Sequence, residues 1–226
     1  MSFPSLSVLI AAKNEEEGIG STLVELKKVL KKAYFYVVDG RSTDRTVEIA
    51  KDFGAKILIQ SGNGKGNAIA QAIKHLNGDT PYVVLTDADF TYPAEYLPEM
   101  VKILQENSDV GMVCGNRFNN HFHLGELHNL LYFGNRLLAF THNLMNGVQM
   151  RDPLTGLRVV RWEILKDWKP KSRGFDLEVE LNHYVERKGY KILEIPIVYR
   201  PRLGEKKLKL RDGLPILKMI LVESLS

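Results

Sequence analysis

Apolar residues follow two rhythms along the first half of the chain. Short runs rich in β-branched and aromatic residues, LSVLIAA (Leu6 to Ala12), YFYVVD (Tyr34 to Asp39), AKILIQ (Ala55 to Gln60), YVVLTD (Tyr82 to Asp87) and VGMVCGN (Val110 to Asn116), have the length and composition of strands. Between them apolar residues recur at helical spacing: Ile19, Leu23, Leu26 and Leu30, then Ala68, Ile69, Ala72, Ile73 and Leu76, then Leu97, Val101 and Leu104. Gly54 and Gly78 stand where helix C-caps are expected. Strands alternating with helices predict βαβ units, a mostly parallel sheet, and ligand binding at the carboxyl ends of its strands.

The second half has a different grain. Leu130, Leu131, Gly134, Leu137, Leu138, Thr141, Leu144 and Met145 trace one long amphipathic helix, read as a packed face. TGLRVVR and YKILEIPIVYR read as strands around a helix near Phe175 to Arg187. No repeat, low-complexity tract or linker divides the chain, so it reads as one α/β domain with a small C-terminal extension.

Three predicted strands end in polar clusters: AAKNEEE, VVDGRSTDRT and TDADFTYP. In a parallel sheet these ends share one rim, so Asn14, Glu15, Asp39, Asp87 and Asp89 converge on a single ligand. Asp87 and Asp89 are one residue apart, which on a strand turns both to the same face while Ala88 points away. Crowded carboxylates repel, and hard oxygen donors at a strand mouth suit Mg²⁺ or Mn²⁺ holding a phosphorylated ligand. An isolated D-x-D also arises in solvated turns; here the neighbouring clusters weigh against that. SGNGKGNA, Ser61 to Ala68, is glycine-rich and opens a helix, so its backbone N–H groups and Lys65 can approach a phosphate. It lacks the P-loop spacing, and no G-x-G-x-x-G follows the first strand.

Composition narrows the picture further. The 226 residues are enough for one large domain with a sizeable core. One cysteine, Cys114, excludes an intramolecular disulfide framework and a cysteine-based zinc site, and fits a reducing compartment. The N-terminus has no basic n-region or cleavage site, so no signal peptide is read there, and no apolar stretch reaches the length of a membrane span. The net charge is only +4 but unevenly placed: RPRLGEKKLKLRDGLPILKMILV, from Arg200, runs from basic to apolar. That segment reads either as a solvated face or as a surface for phosphates and anionic lipid heads. It lacks the interleaved aromatics of a nucleic-acid site. HFHLGELH gathers His121, His123, Glu126 and His128, but the spacing matches no zinc motif and reads as a polar loop.

The ordered set KNEEEGI, VVDGRSTDRT, GNGKGNA, DADFTYP, GNRF, DPLTGLRVV and EIPIVYRPRLGEKKL resembles glycosyltransferase family 2, enzymes of the GT-A fold. Within that family it is most similar to the polyprenyl-phosphate or dolichyl-phosphate mannose or glucose synthases, from Leu6 to about Leu208. The resemblance implies a Rossmann-like GT-A catalytic domain over residues 1–199 and a basic, amphipathic, membrane-interfacial segment over 200–226. It implies that Asn14 and Glu15, with Ala12, lie under the nucleotide, and that Asp39 holds the base and ribose region. Asp87, beside Ala88, contacts ribose or metal, and Asp89 binds the metal that bridges the diphosphate. Ala12 and Lys13 replace the usual Pro and Tyr, and Gly40 and Arg41 follow Asp39 where a second Asp or Gly-Ser is common. Both departures surround the nucleotide pocket.

As a nucleotide diphosphate leaves the anomeric carbon, charge builds on the bridging oxygen, and a metal on Asp89 with Lys65, Arg117, Arg202 or Lys207 stabilises it. A hydroxyl acceptor needs a base, for which Asp176, Glu178 and Glu180 are candidates; a lipid phosphate is already ionised and needs only cations. Arg158, Arg161, Arg200, Arg202, Lys206 and Lys207 supply such cations. The expectation is therefore an inverting, metal-dependent transferase, peripheral at the cytoplasmic membrane face, moving a hexose from GDP-mannose or UDP-glucose to a polyprenyl phosphate. The alternatives are a soluble hydroxyl acceptor, or a nucleotide-sugar-binding module without turnover.

Overall fold

The computed structural model describes residues 4–76, 78–118, 138–141, 143–144, 150–172, 174, 176–205 and 213–224. Seven strands form one sheet: β1 (Leu6–Ala12), β2 (Ala33–Asp39), β3 (Lys56–Ile59), β4 (Tyr82–Asp87), β5 (Val110–Asn116), β6 (Arg158–Arg161) and β7 (Lys191–Pro196). Their spatial order is β3-β2-β1-β4-β6-β5-β7. Every neighbouring pair is parallel except those made by β6, which runs antiparallel to both β4 and β5. The bounds of β1, β4 and β5 coincide with the expected runs.

Both faces of the sheet are covered, which is why the central strands are nearly continuous in apolar residues instead of alternating. On one face Val8, Ile10 and Val84 pack against Ile19, Leu23 and Leu26 of α1 (Glu16–Val29) and Leu97, Met100 and Leu104 of α4 (Leu97–Glu106). On the other, Leu9, Val38, Val83 and Leu85 meet Ile69 and Ala72 of α3 (Lys65–Ile73) and Leu181 and Val185 of α6 (Leu177–Arg187). The short α2 (Thr46–Asp52) and α5 (Trp162–Leu165) complete the layers. A last helix, α7 (Gly213–Ser224), lays Ile216 and Ile220 on Val179 of α6. Of the helix expected over residues 130–145, residues 138–141 and 143–144 are described and helical, and the remainder lies outside the described residues. Gly54 has the left-handed backbone of a C-cap after α2, but α3 ends at Ile73, so Gly78 sits in the turn before β4 and caps nothing.

The chain crosses from one side of β1 to the other between β3 and β4, and a crevice opens at such a reversal. Register brings the strand ends level there: Ala12 is opposite Asp39, and Ala11 is opposite Asp87.

The antiparallel β6 corrects two readings. Arg161 pairs with Tyr82 at the amino end of β4, far from the rim. There its guanidinium donates to the carbonyls of Val110, Leu104 and Asn107. Arg158 is fully buried, and donates to the carbonyls of Thr155 (2.8 Å) and Pro153 (2.7 Å) and to Asn182 Oδ1. Neither is available to an acceptor phosphate. Replacing Arg158 with leucine leaves Thr155 O and Asn182 Oδ1 buried without this donor, which costs on the order of 2–4 kcal/mol. The expected result is a lower urea midpoint at unchanged m-value, only partly restored by Arg158→Lys, whose single ammonium cannot span the same acceptors.

Candidate active site

A cavity of about 850 Å³ opens at the carboxyl ends of β1 and β4. Its floor is set by close packing. Gly18 of α1 lies under the Asp-Ala-Asp turn so tightly that a Cβ there would stand 2.7 Å from Ala88 O and Asp89 Cα. Thr22 Oγ1 donates to Ala88 O (3.2 Å) and accepts the Phe90 N–H (3.0 Å), so α1 fixes the turn from below. Ala88 is buried but lines the cavity together with Asp87 and Asp89, because β4 ends at Asp87 and the strand alternation expected across the three residues stops there. From the other side, the Leu203 N–H donates to Asp89 O (3.0 Å) and the Arg200 N–H to Thr91 O (3.0 Å), laying residues 200–203 along the turn.

Four carboxylates line the cavity, and each is held by a cation. Lys65 Nζ, at the start of α3, reaches Asp87 Oδ1 (2.6 Å) and Glu178 Oε1 (2.8 Å). Arg202 reaches Glu15 through Nη2 and Asp89 Oδ2 through Nη1 (3.2 Å). Burial alone would lower the pKa of Lys65, but Asp87 and Glu178 outweigh it and the net shift is upward, so the ammonium stays charged. Burial, then the charge of Asp87, raises the pKa of Asp89 from its ordinary value, against hydrogen bonds from Thr91 and the charge of Arg202. Within this paired cluster four carboxylates share two cations, and Lys13, Arg117 and Arg200 also line the cavity. Oxygen donors from Asp87 and Asp89 are the chemistry Mg²⁺ or Mn²⁺ takes. Among the described residues no group of three or more His, Cys, Asp and Glu side chains is arranged to hold a metal ion alone. An ion at this rim therefore takes few protein ligands and completes its shell from a bound ligand or water.

The wall opposite Lys65 is aromatic and cationic. Asp152, fully buried, accepts the Arg117 backbone N–H (3.0 Å) and both Nε (2.7 Å) and Nη2 (2.8 Å) of its guanidinium. Arg117 lies over the ring of Tyr199, 5.3 Å from its centroid, and Tyr199 meets Tyr92 edge-on at 5.2 Å. Tyr92 Oη accepts the Gly156 N–H (2.7 Å). A Cβ on Gly156 would be 2.5 Å from Asp87 Oδ2, so only glycine lets that strand-end carboxylate sit where it does.

Of the residues singled out in the sequence, Ala12, Glu15, Lys65, Asp87, Ala88, Asp89, Arg117 and Arg202 line this cavity. Asn14 and Asp39 stand beside it without lining it. Asn14, in a left-handed conformation, accepts the Thr43 N–H at 2.8 Å, and buried Asp39 accepts the N–H (3.0 Å) and hydroxyl of Ser42. They join the first and second rim turns. Lys207, Lys206 and the histidine cluster lie outside the described residues. Glu180 accepts the N–H groups of Lys171 and Ser172, and Asp176 that of Gly174; neither lines the cavity. Arg200 does line it, with its guanidinium on Glu25 (2.6 Å) and over Phe90. Sequence reasoning missed Tyr92, Asp152, Gly156 and Tyr199, although each lies within a quoted motif, and it missed Ile216 of α7, a further wall residue.

Comparison with known proteins bears on the family and the fold. The model of glycosyl transferase family 2 matches residues 7–168. A dolichyl-phosphate hexose transferase of Haloferax volcanii is 37% identical over 209 residues, 91% of this chain and 87% of its own length. The low-salt glycan biosynthesis hexosyltransferase Agl6 of the same organism is 33% identical over 226 residues, and the chain spans only 54% of its length. Among solved structures, glucosyl-3-phosphoglycerate synthase from Mycobacterium tuberculosis in complex with Mn²⁺, UDP-glucose and phosphoglyceric acid superposes with a TM-score of 0.76, covering 98% of this chain and 80% of that one at 19% identity. The family match runs through both the strand-end acids and β6, and so the chain belongs to glycosyl transferase family 2 and is a glycosyltransferase.

Proposed function

We propose that the chain transfers a hexose from a nucleotide-diphosphate sugar to a polyprenyl phosphate, with inversion at the anomeric carbon and with Mg²⁺ or Mn²⁺ at Asp87 and Asp89. The observation that carries this reading is that each cavity carboxylate among the described residues is ion-paired: Glu15 and Asp89 with Arg202, Asp87 and Glu178 with Lys65. Lys65 and Arg202 thereby place fixed positive charge inside the cavity, where an acceptor that is already ionised can meet it. A hydroxyl acceptor needs a base and a phosphate acceptor does not, so the site suits the latter. The similarity to a dolichyl-phosphate hexose transferase supports the same acceptor class, and the solved neighbour with UDP-glucose and Mn²⁺ supports the donor class and the ion. GDP-mannose is the alternative donor.

In this reading Glu15 and Ala12 form the floor under the nucleotide, beside the turn held by Asn14 and Asp39. Bound at the rim, a divalent ion supplies neutralisation of the charge that develops on the leaving diphosphate. Arg202, Lys65 and Arg117 add fixed positive charge around the same oxygens, with Asp152 holding Arg117 in place. The acceptor oxygen then attacks the anomeric carbon from the face opposite the departing diphosphate. The exposed side of α7 carries Leu214 (72% exposed), Leu221 (42%) and Val222 (51%) while Ile216 and Ile220 face the protein. A helix apolar on its outer side as well suits the membrane interface where a polyprenyl phosphate resides. No described helix is long and apolar enough to cross a membrane. The reading places the enzyme as a peripheral protein at the cytoplasmic face.

The direct test is a panel of radiolabelled UDP-glucose and GDP-mannose, with and without polyprenyl phosphate and Mn²⁺. Label in the lipid fraction only when both are present is the expected result; label on a soluble hydroxyl acceptor, or binding without turnover, would replace the reading. Asp89→Asn keeps the shape of the turn but halves the carboxylate pair, and should lower kcat by on the order of 10²-fold or more with little change in thermal stability. Retained turnover after chelation of divalent ions would remove the metal from the mechanism. Combined Leu214→Ser, Leu221→Ser and Val222→Ser should reduce binding to anionic vesicles and transfer to a long-chain acceptor, with transfer to a short water-soluble prenyl phosphate preserved. Equal loss with both acceptors would assign α7 a purely structural part.

A further inference from the structure

We infer that Lys65 is a built-in counter-ion that keeps the rim closed to a bare divalent ion and makes metal binding depend on the nucleotide. The inference rests on the proposed metal and donor sites, and concerns how they are loaded.

Lys65 occupies the position from which a metal would approach Asp87. Its ammonium lies 2.6 Å from Asp87 Oδ1 and 2.8 Å from Glu178 Oε1, with its side chain only 14% exposed. Asp87 is crowded on its other oxygen, where a Cβ on Gly156 would stand 2.5 Å from Oδ2, and the Gly156 N–H is tied to Tyr92 Oη at 2.7 Å. The lysine has the longer side chain of the two, and its ammonium can keep Glu178 while releasing Asp87. A divalent ion arriving alone must displace this ammonium and then sit about 4 Å from it, where like charges repel. A diphosphate arriving with the ion changes the balance, since its oxygens give the displaced ammonium a new partner and complete the ion's shell. Each ligand therefore raises the affinity for the other by the same factor, as linkage requires.

Removing the charge reverses the situation. Without Lys65, Asp87 Oδ1 and Glu178 Oε1 lose the ammonium that lies 2.6 Å and 2.8 Å from them. That pair of carboxylates is then open to a divalent cation with no resident charge to displace.

The test is Mn²⁺ binding, followed by electron paramagnetic resonance and by thermal shift, to full-length protein with and without UDP and GDP. For the natural sequence, nucleotide should tighten Mn²⁺ binding at least tenfold, and Mn²⁺ alone should barely move the melting temperature. For Lys65→Met, Mn²⁺ alone should bind at least tenfold more tightly than to the natural sequence and raise the melting temperature clearly, while the effect of nucleotide on metal affinity shrinks toward none. Lys65→Gln, which keeps hydrogen bonding to both carboxylates, takes its place if the methionine variant does not fold. Lys65→Arg, which keeps the charge, should behave as the natural sequence does. Equal affinity for Mn²⁺ alone in the natural and uncharged variants overturns the inference. Absence of any nucleotide effect on the natural sequence overturns it too. Failure to bind UDP or GDP under any condition would instead count against the donor reading, and is read separately from the metal titration.

Discussion

Like charge gathered at one end of a parallel sheet is the constraint to which the rest of this molecule answers. Level strand ends place the Asp87 carboxylate beside β1, and the turn beyond it places Asp89 on the same rim. In a partly buried site, uncompensated carboxylates would repel one another and take up protons instead of staying charged. Two separate parts of the chain supply the compensation. The glycine-rich turn starts α3 at Lys65, which also takes a further carboxylate, Glu178 of α6, and the segment after β7 returns over the rim to set Arg202 between Glu15 and Asp89. The fold holds each of these contributors by contacts remote from the charges themselves: Gly18 and Thr22 beneath the turn, and backbone hydrogen bonds from residues 200 and 203 to its carbonyls. The carboxylate oxygens of Asp87 and Asp89, held side by side at this rim, are what make it fit for a divalent ion.

Much of the architecture was legible from periodicity, because strands buried on both faces show long apolar runs that are hard to mistake. The runs at Leu6–Ala12, Tyr82–Asp87 and Val110–Asn116 needed no adjustment. What periodicity cannot carry is direction. Arg158 and Arg161 look alike at the two ends of an Arg-Val-Val-Arg strand, and only the antiparallel pairing of β6 separates their fates: one buried at the centre of carbonyl acceptors, the other tying the last turn of α4 at the opposite end of the sheet. Gly78 was misread for a related reason. A glycine's left-handed backbone marks a turn, but whether a helix ends there depends on where packing stops, and α3 stops at Ile73.

The candidate site was legible in its acids and less so in its partners. Spacing marks Asp87 and Asp89 as neighbours at a strand end, although β4 stops at Asp87 and it is the turn beyond it that brings Asp89 to the same rim. Partnership is set by tertiary contact instead. Glu178, a possible base from sequence, proves to be a partner of Lys65. Asp152 is distant from Arg117 along the chain but completes its guanidinium. Tyr92 and Tyr199 carry no charge pattern, and their contribution comes from where their rings and the one hydroxyl fall.

The C-terminal segment bears on how the site connects to its surroundings. Read as sequence, residues beyond 199 form a basic tail that begins after the catalytic domain. In the structure Arg200, Pro201, Arg202 and Gly204 line the cavity, and Ile216 of α7 lines it as well. Helix α6 presents Glu178 to the cavity and the adjacent Val179 to α7, where Ile216 and Ile220 cover it. Arg187 near the end of α6 pairs with Glu223 at the end of α7. The two helices are thus joined at both ends of their contact, one end of which borders the ion pairs of the rim. A surface that anchors α7 therefore acts on the same helix that positions the partner of Lys65, so the apolar side of α7 and the charged rim are parts of one packed unit.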